Sequence, residues 1–257
     1  MERTFLTRMI ITLVITMSSV NVSMAKEPGT SVCCIEGTEY FVWNIDCRGT
    51  LHVIPLEATT SNFDKSPFYK YRKQIKNVVI EDDFYCDKSF TTIGNGFLKG
   101  LDKVESIKFS KSIRNIGESA FEGCTALKEI EIPATVENIG RNALRGCSNL
   151  ECVSLPFVGY DGSVWVNETD KNDLSWIFGK SKGKSFYTVD QTMCDNAVSF
   201  TLPVSLKSFA IGSGIVCYDV FTNCTSLEDI SLGMATMSMP TALATGQYSH
   251  MSLFTKL

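Results

Sequence analysis

Residues 104–124 and 127–147 superpose column for column at an offset of 23 residues, and no other feature restricts the fold as tightly. The first stretch runs Val104, Ile107, Phe109, Ile113, Ile116–Gly117, Ala120–Phe121 and Gly123–Cys124. The second runs Leu127, Ile130, Ile132, Val136, Ile139–Gly140, Ala143–Leu144 and Gly146–Cys147. A third copy opens with Leu150, Val153 and Leu155, and another closes with Val220–Phe221, Cys224, Leu227, Ile230 and Leu232. Upstream, Ile75, Val78 and Ile80 begin a longer, degenerate copy that holds Ile93–Gly94 and Phe97–Leu98. Periods of this length belong to repeat architectures, in which one unit cannot bury its apolar side alone.

The unit reads mechanically. In L-x-x-I-x-I the apolar residues alternate, as in a short strand with one buried face. A following proline lacks an N–H and ends the strand. The I-x-x-I-G step reads as a second extended piece closed by a glycine at positive φ. A short helical turn holding Ala–Phe is then expected to return the chain to the next strand. Phenylalanine and cysteine ladders should line the interior, with Cys124, Cys147 and Cys224 as buried, unreactive thiols.

The unit I-P-x-x-V-x-x-I-G-x-x-A-x-x-G-C-x-x-L resembles the BspA-like class of leucine-rich repeats, over roughly residues 75–232. The stretch before it is similar to the region that often precedes such repeats: Trp43 to Ile45, Gly49 to Val53, Ser66 to Tyr69 and Ile75 to Ile80. Leu155 to Gly159 and Trp176 to Gly179 look like an insertion that recurs in the class. The resemblance implies a leucine-rich-repeat solenoid, secreted or on a cell surface and often linked with adhesion to host or matrix proteins. It brings no catalytic residue.

Four segments are expected. Residues 1–25 have the layout of a secretory signal peptide: Arg3 and Arg8, an apolar run from Met9 to Met17, and small residues up to Ala25. That run is about half the ~20 residues a membrane span needs, and no second long apolar run follows. The mature chain is therefore not expected to insert in a membrane. Residues 26–74 read as an N-terminal cap, with a hairpin of Tyr40–Ile45 and Thr50–Ile54 around Asp46–Gly49 and a helix starting at Ser66–Pro67. Residues 75–232 form the solenoid, β-rich with short helical turns and interrupted at about 157–199 by an insertion that holds Trp165, Trp176, Phe178 and Tyr187. Residues 233–257 read as an irregular tail.

Charge and motif content narrow the chemistry. Without residues 1–25 the chain keeps 22 basic and 27 acidic side chains and has no basic run, so nucleic acid is not an expected partner. Ten cysteines, about 4% of the chain, fall below the ~8–10% of disulfide-built scaffolds. Cys33, Cys34, Cys47 and Cys86 lie in or near the cap, where a bridge of unreadable connectivity is plausible. Gly179 to Ser185 has three residues between its glycines where a phosphate loop needs four, and it reads as a solvated loop. Asp161 to Asp173 is acidic but lacks calcium-loop spacing. His52 and His250 are too few and too far apart to share a site. No esterase, zinc-protease or C-x-x-C signature occurs, so neither enzyme activity, metal nor cofactor is expected. Asn167 opens a glycosylation sequon if the host is eukaryotic, and Asn223 a second inside a repeat turn.

What remains is the outward side of the strands. One outward column is Val79, Lys108, Glu131, Ser154, Ala210 and Ser231, and another is Asn77, Ser106, Glu129, Cys152, Ser208 and Asp229. Lys108, Glu131, Ser154, Ser106, Glu129, Ser208 and Ser231 are the candidate ligand-facing residues, since solenoids commonly bind with an extended sheet face. Against this stands a plainer reading in which Lys108 and Glu131 merely pair across strands. Two functions compete: a binder of extracellular or host-surface proteins, or a spacer within a surface array with no ligand of its own.

Overall fold

The computed structural model describes residues 33–37, 41–55, 62–81, 91–161, 173–193, 196–213, 215–221, 224–233 and 236–238. The expected signal peptide, Cys86, Trp165, Asn167, Asn223, His250 and nearly all of the tail lie outside them. So do the side chains of Cys33 and Cys34.

Strands β1 (Cys33–Gly37), β2 (Phe41–Ile45) and β3 (Thr50–Pro55) run antiparallel in order. The β2–β3 hairpin falls where the Asp46–Gly49 turn places it, with Ile45 opposite Leu51. Asp46 closes the turn by accepting from the N–H groups of Arg48 and Thr50, and Gly49 takes φ 79°. β3 then pairs in parallel with β4 (Asn77–Ile80). β4 lies two places before β6 (Ser106–Lys108) in the chain but beside it in the sheet, because β5 (Thr92–Ile93) belongs to a different layer.

The same alternation continues down the chain. β7 (Asn115–Ile116) and β9 (Asn138–Ile139) extend β5 into a three-stranded parallel sheet. β8 (Glu129–Glu131) and β10 (Cys152–Phe157) open a four-stranded parallel sheet that ends in β13 (Ser208–Ser213) and β15 (Asp229–Leu232). This sheet meets the N-terminal one where the Lys128 N–H donates to the Glu105 carbonyl at 3.4 Å. Every strand-opening residue of the repeat (Ile75, Val104, Leu127, Leu150, Leu206, Leu227) is buried.

Local structure departs from the sequence expectation at four points. Over 117–123 and 140–146 the backbone forms turns and not helix. Its amides reach sideways: Ser119, Phe121 and Gly123 donate to the carbonyls of Arg141, Ala143 and Arg145, one repeat on. Of the Ala–Phe turns, only the counterpart at Tyr218–Phe221 is helical, as a 3-10 turn. Likewise the helix expected from Ser66 is a three-residue 3-10 turn, Tyr69–Tyr71. Ser66 Oγ accepts from the Phe68 N–H and donates its own proton to the Phe97 carbonyl at 2.8 Å.

The glycine after I-x-x-I is required by contact and not by φ. A Cβ on Gly117 would stand 2.5 Å from the Asn95 nitrogen, and one on Gly140 would stand 2.3 Å from the Glu118 nitrogen. Positive φ falls two residues later, at Gly96, Ser119 and Asn142, and again at Gly100, Gly123 and Gly146. No phenylalanine ladder forms, because the stacked position alternates Leu98, Phe121 and Leu144. Phe121 packs on Phe109, and further rings cluster before and after these repeats. Phe41, Phe68 and Phe97 pack at one end with centroids 5.3–5.8 Å apart, and Phe178, Phe209 and Phe221 at the other.

Residues 173–203 continue the stack. Helix α1 (Leu174–Phe178) is capped by Asp173, whose Oδ1 accepts from the Ser175 and Trp176 N–H groups. Asn142 and Leu144 donate their N–H groups to the carbonyls of Trp176 and Ile177, so α1 receives the bonds that the next turn would have taken. Trp176 Nε1 donates to the Ile139 carbonyl at 2.8 Å. β11 (Phe186–Met193) and β12 (Asn196–Pro203) form an antiparallel hairpin, and the Thr201 N–H returns to the Gly179 carbonyl. Two short strands, β14 (Ile215–Cys217) and β16 (Thr236–Ser238), pair in parallel beyond it.

Candidate functional site

Strand register decides which side chains share a row. Val79 is opposite Lys108, Glu131 opposite Ser154, Ser154 opposite Ala210 and Ala210 opposite Ser231. Two residues earlier, Asn77 is opposite Ser106, Glu129 opposite Cys152, Cys152 opposite Ser208 and Ser208 opposite Asp229. Between the two rows lie Val78, Ile107, Ile130, Val153 and Phe209, all buried. Side chains alternate faces along a strand, so both rows point away from the core. Lys108, Glu129, Glu131, Cys152, Asp229 and Ser231 are exposed, and Ser106, Ser154 and Ser208 half-buried. Ser106 Oγ donates to Asn77 Oδ1 at 2.8 Å.

Lys108 and Glu131 do not pair: among the described residues no ion pair joins them. An ion pair forms instead one residue before the strands, between Lys207 and Glu151. Lys76, Glu105, Lys128, Glu151, Lys207 and Glu228 form a row whose sign alternates at every step. Each amide in this row after Lys76 donates to the carbonyl of the residue before it in the row. Lys207 Nζ donates to Glu151 Oε2, an ion pair that holds the Glu151 carboxyl below its usual range, with Lys128 adding to the pull. The same partner raises Lys207, with Glu228 contributing from the other side. Sequence reasoning missed this row because it looked only at strand positions; a tabulation of charge by repeat column would have exposed it.

A second charged row follows the turns. Glu122 lies between Lys99, 3.1 Å from its Oε2, and Arg145, which engages Oε1 through Nε and Nη2. Burial pushes the Glu122 carboxyl up, but hydrogen bonds from Ser119, Arg145 and Lys99 together bring it below its usual value. Thr92, Asn115 and Asn138 form a neutral counterpart, the amides donating up the stack at 3.3 and 2.7 Å. These rows link side chains of successive repeats.

The thiols divide by row. Cys124 Sγ donates to the Leu98 carbonyl and Cys147 Sγ to the Phe121 carbonyl. Burial pushes Cys147 and Cys224 up to about 12 and Cys124 well above the ordinary thiol. Cys47 and Cys152 are exposed and unbridged. His52 extends the central outward row beside Val79. Its Nδ1 lies 2.9 Å from Glu81, and that hydrogen bond raises it against the opposing effect of burial, with Asp46 helping at 3.8 Å. Among the described residues no three metal-binding side chains converge, and no helix is long and apolar enough to cross a membrane.

The repeat columns and their parallel stacking meet in a family model for the BspA type leucine-rich repeat region, which matches residues 64–158 in six copies. Over residues 64–158 the chain is thus similar to BspA type leucine-rich repeats. The model stops at residue 158, yet β13 and β15 continue the parallel ladder beyond it. Among solved structures the chain is similar to a leucine-rich repeat protein from Eubacterium ventriosum (14% identity, 77% of this chain and 72% of that one, TM-score 0.33). It is similar also to a leucine rich cell surface protein from Faecalibacterium prausnitzii (12% identity, 84% and 74%, TM-score 0.29). A third is the T. pallidum leucine rich repeat protein (16% identity, 79% and 85%, TM-score 0.31). No curated protein matches.

Proposed function

We propose that this chain is a secreted or surface-displayed binding protein that engages extracellular or host-surface proteins through the outward side of its BspA-type repeats. In this reading residues 1–25 are a signal peptide removed after Ala25, 26–74 cap a solenoid over 75–232, the insertion spans about 157–199, and 233–257 are an irregular tail. The BspA-type repeat region supports a role in protein–protein interaction. Adhesion to host or matrix proteins is the specific form proposed.

One observation carries the choice of surface. Lys108, Glu131, Ser154, Ser106, Glu129, Ser208 and Ser231 vary from repeat to repeat on a backbone whose register does not. In the neighbouring Lys76–Glu228 row Lys207 pairs with Glu151, whereas Lys108 and Glu131 form no ion pair among the described residues. Their charge is thus available to a partner, and a uniform scaffold with a changing face acquires specificity without refolding.

Solid-phase binding of the secreted chain to a panel of extracellular-matrix proteins tests the reading. A bound ligand should lose affinity for the Lys108→Glu, Glu131→Lys double variant, which inverts the field the ligand meets. Normal binding by that variant would move the site off these rows, and deletion of the insertion would show whether the site lies there. Absence of any ligand across the panel would favour the spacer.

A further inference from the structure

Residues 62–76, before the first strand of the repeat region, carry Lys65, Lys70, Arg72, Lys73 and Lys76 against Asp64 alone, in a chain whose net charge is −4. The apolar members of this segment turn inward: Phe68 and Ile75 are fully buried. The 3-10 turn between them is therefore left to present cations. Tyr69 is 37% exposed and lies over Gly100, where a Cβ would come within 3.1 Å of the ring. The Arg72 guanidinium carbon stands 4.3 Å from the Tyr69 centroid, and Lys65 Nζ 5.8 Å from it. Lys70 Nζ stands 4.6 Å from the Tyr71 centroid. Arg72 is fixed further by a bond from Nη1 to the Tyr69 carbonyl at 3.2 Å. Lys73 pairs with Asp102 at 3.2 Å.

A ring face positions a cation without neutralising it. Lys65 and Arg72 thus keep their full charge while giving up part of the rotamer freedom that makes an exposed lysine a weak ligand. The planar fork of Arg72 matches the oxygens of a sulfate. We propose that this turn is a binding site for a sulfated polysaccharide, a surface separate from the strand rows and independent of the reading of them. Two other polyanions fit the geometry less well. A membrane surface is held by inserted apolar side chains, and here those are buried. Single-stranded nucleic acid needs open ring faces for its bases, and here cations stand over them.

The test uses the secreted full chain and size-fractionated heparin at physiological salt, with desulfated heparin and phosphatidylserine vesicles as alternative probes. Binding to heparin and not to desulfated heparin is expected. The Lys65→Ala, Arg72→Ala double variant should lose roughly fivefold or more, as expected when ionic contacts to a polyanion are removed together. Removing the same charge from the exposed Lys180 and Lys184 should change affinity by less than about twofold. Arg72→Lys keeps the charge and the turn but loses the fork, and should lie between. Equal losses in the two double variants would reduce the effect to overall charge and overturn the proposal. So would absence of heparin binding by the parent, or preference for the vesicles.

Discussion

Lys207 and Glu151 are 56 residues apart in the chain and adjacent in the sheet, joined by an ion pair in a row that alternates in sign from Lys76 to Glu228. Because the row continues on both sides, the pair is not interchangeable. Exchanging its members (Glu151→Lys with Lys207→Glu) keeps the pair but sets a second lysine beside Lys128 and a second glutamate beside Glu228. The exchange variant should therefore melt below the parent, with the gap closing at high salt. A melting temperature equal to the parent's would mean that the row acts as isolated pairs.

At Gly140 and Gly117 a Cβ would run into the backbone of the preceding repeat. Gly140→Ala should cost about 1–3 kcal/mol or more, because the Cβ meets backbone that cannot rotate away. Gly140→Asn discriminates the cause. Asparagine tolerates positive φ, so it would be the milder change if φ were limiting and no milder if contact is. Urea midpoints that rank Asn well above Ala would restore the φ explanation.

Phe121 is fully buried and edge-on to Phe109 at 5.6 Å. Phe121→Ala should cost about 3–5 kcal/mol, whereas Lys108→Ala, on the exposed row, should cost well under about 1 kcal/mol. Similar losses in denaturant melts of the two variants would show the inward and outward rows to be misassigned.

Native-state alkylation at pH 8 should modify Cys47 and Cys152 and spare Cys124, Cys147 and Cys224. A thiol at about 12 is thiolate in roughly one molecule in ten thousand at that pH, and burial also blocks access. Mass spectrometry that finds Cys147 labelled before denaturant would contradict the buried row.

His52 is raised in the folded state by Glu81. A raised folded pKa gives stability that is fully present below the unfolded value near 6.5 and lost as pH rises through the folded value. The stability gap between the parent and His52→Gln should thus be widest in mild acid and close toward alkaline pH. A gap that widens with pH would mean that the neutral ring is the stabilising form. The effect is small, since about a third of the side chain is in water.

The period of 23 residues determined by itself that units would stack, which residues would face inward, and that Leu150 and Leu206 would open neighbouring strands despite the 56 residues between them. These follow from hydrophobic spacing, a local property that any one repeat displays. The hairpin around Asp46–Gly49 was legible for the same reason, its turn chemistry being written in consecutive residues. Tertiary structure alone decided the rest, because the rest concerns partners one repeat away. The turn at 117–123 has helix-like spacing, but its amides are satisfied by the next repeat, and an inter-repeat bond leaves no trace in the local pattern. Gly140 is glycine because of Glu118. Lys108 and Glu131, adjacent in the repeat alignment, form no ion pair among the described residues, whereas Glu151 and Lys207 do, across 56 residues of chain. Helix α1 became the end of a turn stack because Asn142 and Leu144 still had N–H groups to place, and Trp176 and Ile177 supplied the carbonyls.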